Sequence, residues 1–359
     1  MTPADDAPTR SAPSVIARTE GALGHITLNR PEALNALDLG MIRSMTAILD
    51  AWREDTDVQI VLIDGAGDRG LCAGGDVRAL YDMVKEGRVE ETVAFFREEY
   101  ALDAAIAEYP KPVVAIADGI TMGGGIGIAG HAAIRIVTER SRLAMPETRI
   151  GFTPDVGGTW LLGRAPGRLG EYLALTGGTM DGADALYAGF ADHLVPSDRL
   201  EALREALAHR ADPTGPSEIV LLFDETPEPS ALPGKRAWID DAFAGESVVE
   251  IVARLRASTD AGAADVADTL EGLSPTALAV ALDAVREARG MGGLREALAG
   301  EYRRVLWFAA HHPDLVEGIR AQLVDKDRDP HWSPATLAEL DPAASAPARE
   351  YTPPVPLWS

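Results

Sequence analysis

The sequence is nearly without sulfur chemistry and poor in basic charge. One cysteine, Cys72, occurs in 359 residues. No internal disulfide can form, and a reducing compartment fits, with the cytoplasm as the expected location. Lys and Arg number 33 against 56 Asp and Glu, a formal net charge of −23. Such a surface repels nucleic acid and anionic membranes. An anionic ligand would have to meet local exceptions such as Arg30, Lys111, Lys326 or Arg328. The longest apolar stretch, Val113–Ile136, is interrupted by Asp118, His131, Arg135 and several glycines, which excludes a membrane span. Residues 1–13 lack an apolar h-region and read as a disordered leader, not a signal peptide. There is no GxSxG elbow and no Cys/His pair in a catalytic context. His311-His312 lacks an HExxH frame, so no metal site is expected.

What is present is enough apolar material for a sizeable core, 46% of the chain, in one large domain or two. Val15–Arg18 and His25–Leu28 read as a hairpin, and Met41–Trp52 has helical spacing. Gln59–Ile63, Val113–Ala117 and Ala133–Val137 read as strands. Helices are predicted from Val77 to Lys85, from Glu90 to Glu108 before Pro110, and from Thr159. This alternation predicts an α/β core over residues 14–200. Residues 201–340 read as a helical C-terminal region, with helices at Leu200–His209, Ala237–Leu255, Ala264–Leu270, Thr276–Glu287 and Leu294–Ala310. A Pro-rich loop is expected at Asp212–Gly234, and residues 341–359 form a Pro/Ala-rich tail that wraps a surface or stays mobile.

Two segments carry the chemistry. The first is the glycine cluster Gly119-Ile120-Thr121-Met122-Gly123-Gly124-Gly125-Ile126-Gly127; the second holds Met145-Pro146-Glu147 and Pro154-Asp155-Val156-Gly157-Gly158. Glycines let a backbone approach a ligand and aim bare N–H groups at it. Carboxylates nearby can do acid–base or nucleophilic work. Gly125–Gly130 formally matches GxGxxG. The only acid closing the next strand, Glu139, comes too early for a dinucleotide site. Cys72-Ala73-Gly74-Gly75-Asp76 is a second glycine site, explained in isolation by a turn with Asp76 capping the next helix. Amides at both Gly75 and Gly124 would make an oxyanion hole. Glu147 has a plain alternative as a partner of Arg149, and Asp155 as a helix cap. Glu99 shares a stripe with Phe95, Leu102 and Ile106, so it points with the buried set and needs a ligand or an ion pair such as Arg97.

Several stretches resemble the enoyl-CoA hydratase/isomerase (crotonase) superfamily: Ile26–Pro31, Ala33–Leu37, Cys72–Asp76, Met122–Gly125 and Glu317–Ala321. Within it, the closest resemblance is to the branch that hydrolyses 3-hydroxyisobutyryl-CoA. That match rests on Phe95–Tyr100, Gly119–Gly125, Ala144–Thr148, Pro154–Gly158, Ser274–Thr276, Glu301–Arg303 and Leu323–Asp327. The resemblance implies a β-β-α spiral with C-terminal helices and a CoA thioester substrate, CoA being part of the substrate and no other cofactor needed. It implies catalytic roles for Glu147, Asp155, Gly75 and Gly124, and substrate contacts from Glu99, Gly124, Glu147 and Asp155. Ala36, Ala73, Gly75, Asp76 and Lys326 would follow the CoA moiety. Hydratases of this superfamily use two glutamates; one matches Glu147, and the other would fall at Gly127, which has no side chain. The implied activity is therefore thioester hydrolysis, a step of valine catabolism. Double-bond isomerisation on the same fold and non-catalytic acyl-CoA binding are the rival readings. Homo-oligomerisation is left open, because the C-terminal helices could cover their own core or a neighbour's.

Overall fold

The computed structural model describes residues 12–209 and 215–358. Nearly all of the expected leader, and residues 212–214 of the expected linker, lie outside them. Strands β1 (Val15–Glu20) and β2 (Leu23–Leu28) form the expected hairpin, and α1 (Leu39–Arg53) begins at an Asp38 side chain that accepts the Met41 amide. The chain then repeats one unit. Strands β3 (Ile60–Gly65) and β4 (Gly70–Cys72) precede α2 (Val77–Lys85) and α3 (Val89–Ala107). Strands β5 (Val113–Ala117) and β6 (Ile120–Met122) precede α4 (Gly124–Gly130). Strands β7 (Ile134–Val137) and β8 (Arg142–Ala144) precede α5 (Gly158–Arg164), α6 (Leu169–Thr176) and α7 (Gly182–Ala188).

Each unit gives one strand to each of two sheets. The larger sheet has the order β1-β2-β3-β5-β7-β9, closed by β9 (His193–Leu194); the smaller has the order β4-β6-β8. All pairings after the hairpin are parallel. This is a β-β-α spiral. The central strands are buried on both faces, which is why they read as unbroken apolar runs instead of alternating ones. In β3, Val61 and Ile63 join the main core, while Ile60 and Leu62 face a second cluster under α8 (Leu200–Ala208) and α9 (Pro216–Leu221).

The C-terminal portion is helical, as predicted, with two differences. The Pro-rich segment read as a loop contains α9, because Pro216 is tolerated at the first position of a helix. The helix predicted over Ala237–Leu255 is two helices, α10 (Leu232–Ala242) and α11 (Val248–Ala257). Ser247 caps the second through the Glu250 amide, and the carbonyls of Phe243 and Gly245 turn outward to Arg286. Side-chain partners for these orphaned groups make the break stable. After α12 (Ala261–Glu271), α13 (Pro275–Ala288), α14 (Leu294–His311) and α15 (Asp314–Ile319), the tail carries α16 (Ala346–Glu350). That helix packs on α14 and α13 and buries Ala348, so this part of the tail wraps the surface.

Candidate active site

A cavity of about 930 Å³ opens between the spiral and the C-terminal helices. It gathers all nine side chains or backbones singled out in the sequence: Ala36, Ala73, Gly75, Asp76, Glu99, Gly124, Glu147, Asp155 and Lys326. These come from seven places in the chain, and each is held by local geometry.

Two loops are zipped together at one wall. Leu37 donates to the Gly74 carbonyl at 2.8 Å, Asp76 donates to Leu37 at 2.8 Å, and Ala73 donates to Leu34 at 3.0 Å. Asn35, with φ of 54°, sits in the left-handed region, and its side-chain amide bridges Ala66 and Gly70. Asp76 caps α2 through the Ala79 amide, as the plain reading expects, and also meets Arg30. The zipper uses the Ala73 and Asp76 amides, Gly74 N–H donates to the Cys72 sulfur, and the Gly75 N–H is left without a backbone acceptor among the described residues. Gly124 opens α4, where a first-turn N–H has no intrahelical acceptor. The two glycines lie against each other: an added Cβ at Gly124 would be 3.2 Å from the Gly75 nitrogen.

Glu99, Glu147 and Asp155 line the cavity with this pair, Asp103 lies behind its wall, and all four are at most 6% exposed. Glu147 begins a 3₁₀ turn, Glu147–Ile150, after Pro146. Thr148 anchors that turn to the carbonyls of Ala174 and Leu175, and Gly151 closes it at φ 68°. Glycine is required there, because an added Cβ would meet the Asp314 carbonyl at 2.3 Å. Arg149 turns away to Gly177, so the plain pairing of Glu147 with Arg149 is not formed. Burial, then the charge of Asp155, pushes the Glu147 carboxyl well above the usual carboxylate range. Glu99 reaches the cavity from α3 with Oε1 unpartnered and no ion pair to Arg97, and burial raises it likewise.

The Asp155 side chain does not cap α5; only its backbone carbonyl does, accepting the Gly158 amide at 2.7 Å. Its Oδ2 accepts the Tyr100 hydroxyl at 2.9 Å. The first amides of α5 are satisfied instead from α14: Glu301 accepts Gly157 N–H at 2.7 Å and both the amide and hydroxyl of Thr159. This frees Asp155 for the cavity. The intervening Val156 has φ of 53°, a strained conformation for a β-branched residue, and His131 Nε2 donates to its carbonyl at 2.8 Å. Burial and the neighbouring Glu301 push Asp155 up to about 7.

The remaining walls were not read from the sequence. Phe95, Phe96 and Phe152 make an apolar end, and the cations facing the cavity besides Lys326 are Arg69, Arg78 and Arg149. Lys111, one of the expected basic exceptions, binds the Asp55 carbonyl elsewhere. Lys326 stands in a turn with φ of 59°. Arg320 holds that turn through Asp325 and Asp327, at 2.9 and 2.5 Å, and Arg78 ties it to α2 through the Leu323 carbonyl. Asp103 and Glu301 were also missed. Asp103 is legible in retrospect, since it lies one helical turn beyond Glu99 on the same stripe.

A spiral of β-β-α turns that sets two glycine amides against buried carboxyls defines a crotonase-type fold. Residues 23–347 match the enoyl-CoA hydratase/isomerase family, and the chain belongs to it. It is 42% identical to the mitochondrial 3-hydroxyisobutyryl-CoA hydrolase of Danio rerio, over 92% of this chain and 87% of that protein. It is 38% identical to the mitochondrial hydrolase of that name from Homo sapiens, over 92% and 87%. Among solved structures, it resembles a carnitinyl-CoA dehydratase from Mycobacterium thermoresistibile, with 46% identity, a TM-score of 0.90 and coverage of 95% and 97%. An enoyl-CoA hydratase from Rhodobacter sphaeroides 2.4.1 is similar too, with 40% identity, a TM-score of 0.89 and coverage of 96% and 99%.

Proposed function

We propose that this protein hydrolyses 3-hydroxyisobutyryl-CoA to 3-hydroxyisobutyrate and CoA, a step of valine catabolism. The observation that carries the reading is the state of Gly127. An added Cβ there would lie 2.7 and 2.9 Å from the Asp103 carboxyl oxygens and 2.9 Å from Val156 Cβ. The position that a hydratase would fill with its second glutamate is closed. Hydration across a double bond by paired glutamates lacks both the residue and the room for it, although two similar structures are named as a dehydratase and a hydratase. Glu147 and Asp155 remain, opposite the glycine amides.

In this reading the thioester carbonyl accepts hydrogen bonds from Gly75 and Gly124 N–H. Charge developing on that oxygen is stabilised in a water-poor site by about 3 kcal/mol per donor. Glu147 enters as the carboxylate. A carboxyl held above its usual range is a stronger base and nucleophile once ionised. It either attacks the carbonyl carbon, expelling CoA thiolate and leaving an anhydride that water opens, or takes a proton from the water that attacks. Either way one water is consumed, and an acid and the CoA thiol are released. Asp155, steered by Tyr100, orients that water or exchanges its proton. Glu99 accepts a hydrogen bond from the 3-hydroxyl. Arg69, Arg78, Arg149 and Lys326 counter the phosphates of CoA on a chain whose net charge is otherwise strongly negative. We place the protein in the cytoplasm because a chain with one cysteine has no need of an oxidising compartment.

The test is release of free thiol from 3-hydroxyisobutyryl-CoA, 3-hydroxypropionyl-CoA and enoyl-CoAs. Thiol release with the hydroxyacyl esters is expected. Double-bond migration or hydration of enoyl-CoAs, with no thiol released from any ester, would overturn it.

A further inference from the structure

The two glycine amides that face the thioester have different neighbours. An added Cβ at Gly124 would lie 2.6 Å from Glu99 Oε1, and one at Gly123 would lie 3.1 Å from Glu147 Oε1. An added Cβ at Gly75 would instead lie 3.1 and 3.6 Å from Cζ and Cε1 of the Phe95 ring. The hole is thus bordered by carboxyls on the Gly123–Gly124 side and by an apolar ring on the Gly75 side. Phe95 and Glu99 are four residues apart on α3, so ring and carboxyl stand one helical turn apart on one face. Both line the cavity. The ring is held in place. It packs edge-to-face on Phe96, with centroids 5.5 Å apart and planes at 78°, and Phe96 packs in turn on Phe152 and on Tyr100, which steers Asp155. A ring edge in the wall of a cavity offers no hydrogen bond, and covering it is favourable only with apolar surface.

We propose that Phe95 is a specificity-determining residue that packs against the C2 methyl group of the acyl chain, so that the site selects one C2 enantiomer of the 3-hydroxyisobutyryl ester and favours it over the unbranched 3-hydroxypropionyl ester. The inference rests on the hydrolase reading above. In that reading the carbonyl oxygen is held at Gly75 and Gly124 and the 3-hydroxyl at Glu99. C2 lies between these two anchors, bonded to the carbonyl carbon on one side and to the hydroxymethyl carbon on the other. Its two remaining substituents are a hydrogen and a methyl. With both anchors occupied, one enantiomer turns its methyl to the ring beside Gly75. The mirror image turns its hydrogen there and its methyl away. The 3-hydroxypropionyl ester has two hydrogens at C2 and makes no methyl contact at all. One carbon in an apolar pocket changes kcat/KM by about 10–200-fold, and contact with a single ring belongs at the lower end.

Thiol release by the full-length protein tests this with three esters: the two C2 enantiomers of 3-hydroxyisobutyryl-CoA and 3-hydroxypropionyl-CoA. The wild type should prefer one enantiomer by about tenfold in kcat/KM. Equal kcat/KM for the two overturns the proposal without recourse to any variant. In Phe95→Ala, kcat/KM for the preferred enantiomer relative to 3-hydroxypropionyl-CoA should fall about tenfold, and the gap between the enantiomers should narrow. Phe95→Leu keeps part of the apolar contact and should show a smaller fall in the same ratio; it serves alone if the alanine variant does not give a cooperative melt. An unchanged or raised ratio, or equal losses for all three esters, would assign the ring to packing and overturn the proposal. Failure of the hydrolase reading itself is seen separately, as absence of thiol release from all three esters by the wild type.

Discussion

Glu301, on α14, the last long helix, accepts the amide hydrogen of Gly157 at 2.7 Å, more than a hundred residues away in the chain. This bond and its companions at Thr159 cap α5 from outside. Asp155 is thereby released from capping and given to Tyr100 and the cavity. Replacing Glu301 by Gln presents an N–H where an acceptor is needed. Unfolding in urea should show a loss of about 2–3 kcal/mol, the cost of leaving a buried donor unsatisfied. The kcat should fall by more than KM rises, because the Asp155–Gly157 loop loses its anchor. An unchanged midpoint and kcat would show that the loop holds its shape without Glu301.

Gly127→Ala places a methyl against the Asp103 carboxyl and Val156, and the resulting overpacking should cost about 1–3 kcal/mol. Gly127→Glu should not create a hydratase. Its side chain has no path past Asp103, and the expected result is misfolded protein or a folded variant without hydration of enoyl-CoAs. Measurable hydration by that variant would show that the wall behind Gly127 yields.

Asp155 makes a prediction about stability and pH. Its carboxyl is near its ordinary value of 3.8 when unfolded and about 7 when folded. Between those values the folded state holds a proton that the unfolded state has released, so stability falls as pH rises through the window, and the penalty is complete above it. Asp155→Asn has no charge to bury and still accepts the Tyr100 hydroxyl. It should be more stable than wild type at pH 8 by something on the order of 2–4 kcal/mol. The gap should close towards pH 4 in thermal melts at both pH values, while thiol release is lost throughout. Greater stability of the wild type at pH 8 would contradict the sign.

Glu147→Gln removes the nucleophile or base but keeps the shape. A fall in kcat of at least about 100-fold, with KM little changed, is expected in the thiol assay. A single turnover in ¹⁸O-water separates the two routes. The anhydride route, when water attacks the enzyme acyl carbon, leaves label in Glu147; the general-base route sends it only to the product acid.

Glu99→Leu should reduce kcat/KM for 3-hydroxyisobutyryl-CoA far more than for isobutyryl-CoA. A site built to bond a hydroxyl loses discrimination when the bonding group goes. Equal losses for the two esters would assign Glu99 to packing.

Much of this protein was determined locally and is visible in the chain. The alternation of buried strands with helices, the stop before Pro110, and the positive-φ glycines such as Gly123 and Gly151 follow from backbone sterics and apolar periodicity within a few residues. So does the stripe that turns Glu99 inward. Tertiary structure alone decided what those residues do to one another. Asp155 reads as a cap until Glu301 arrives from α14 to take that role, and Gly127 reads as a missing side chain until Asp103 is found in its place. Lys111 reads as a ligand cation until its ammonium is found on the Asp55 carbonyl. The reason is physical. Apolar burial depends on a residue and its near neighbours, whereas the state of a buried carboxyl depends on every charge and donor around it, and the fold brings those from segments that the sequence keeps far apart.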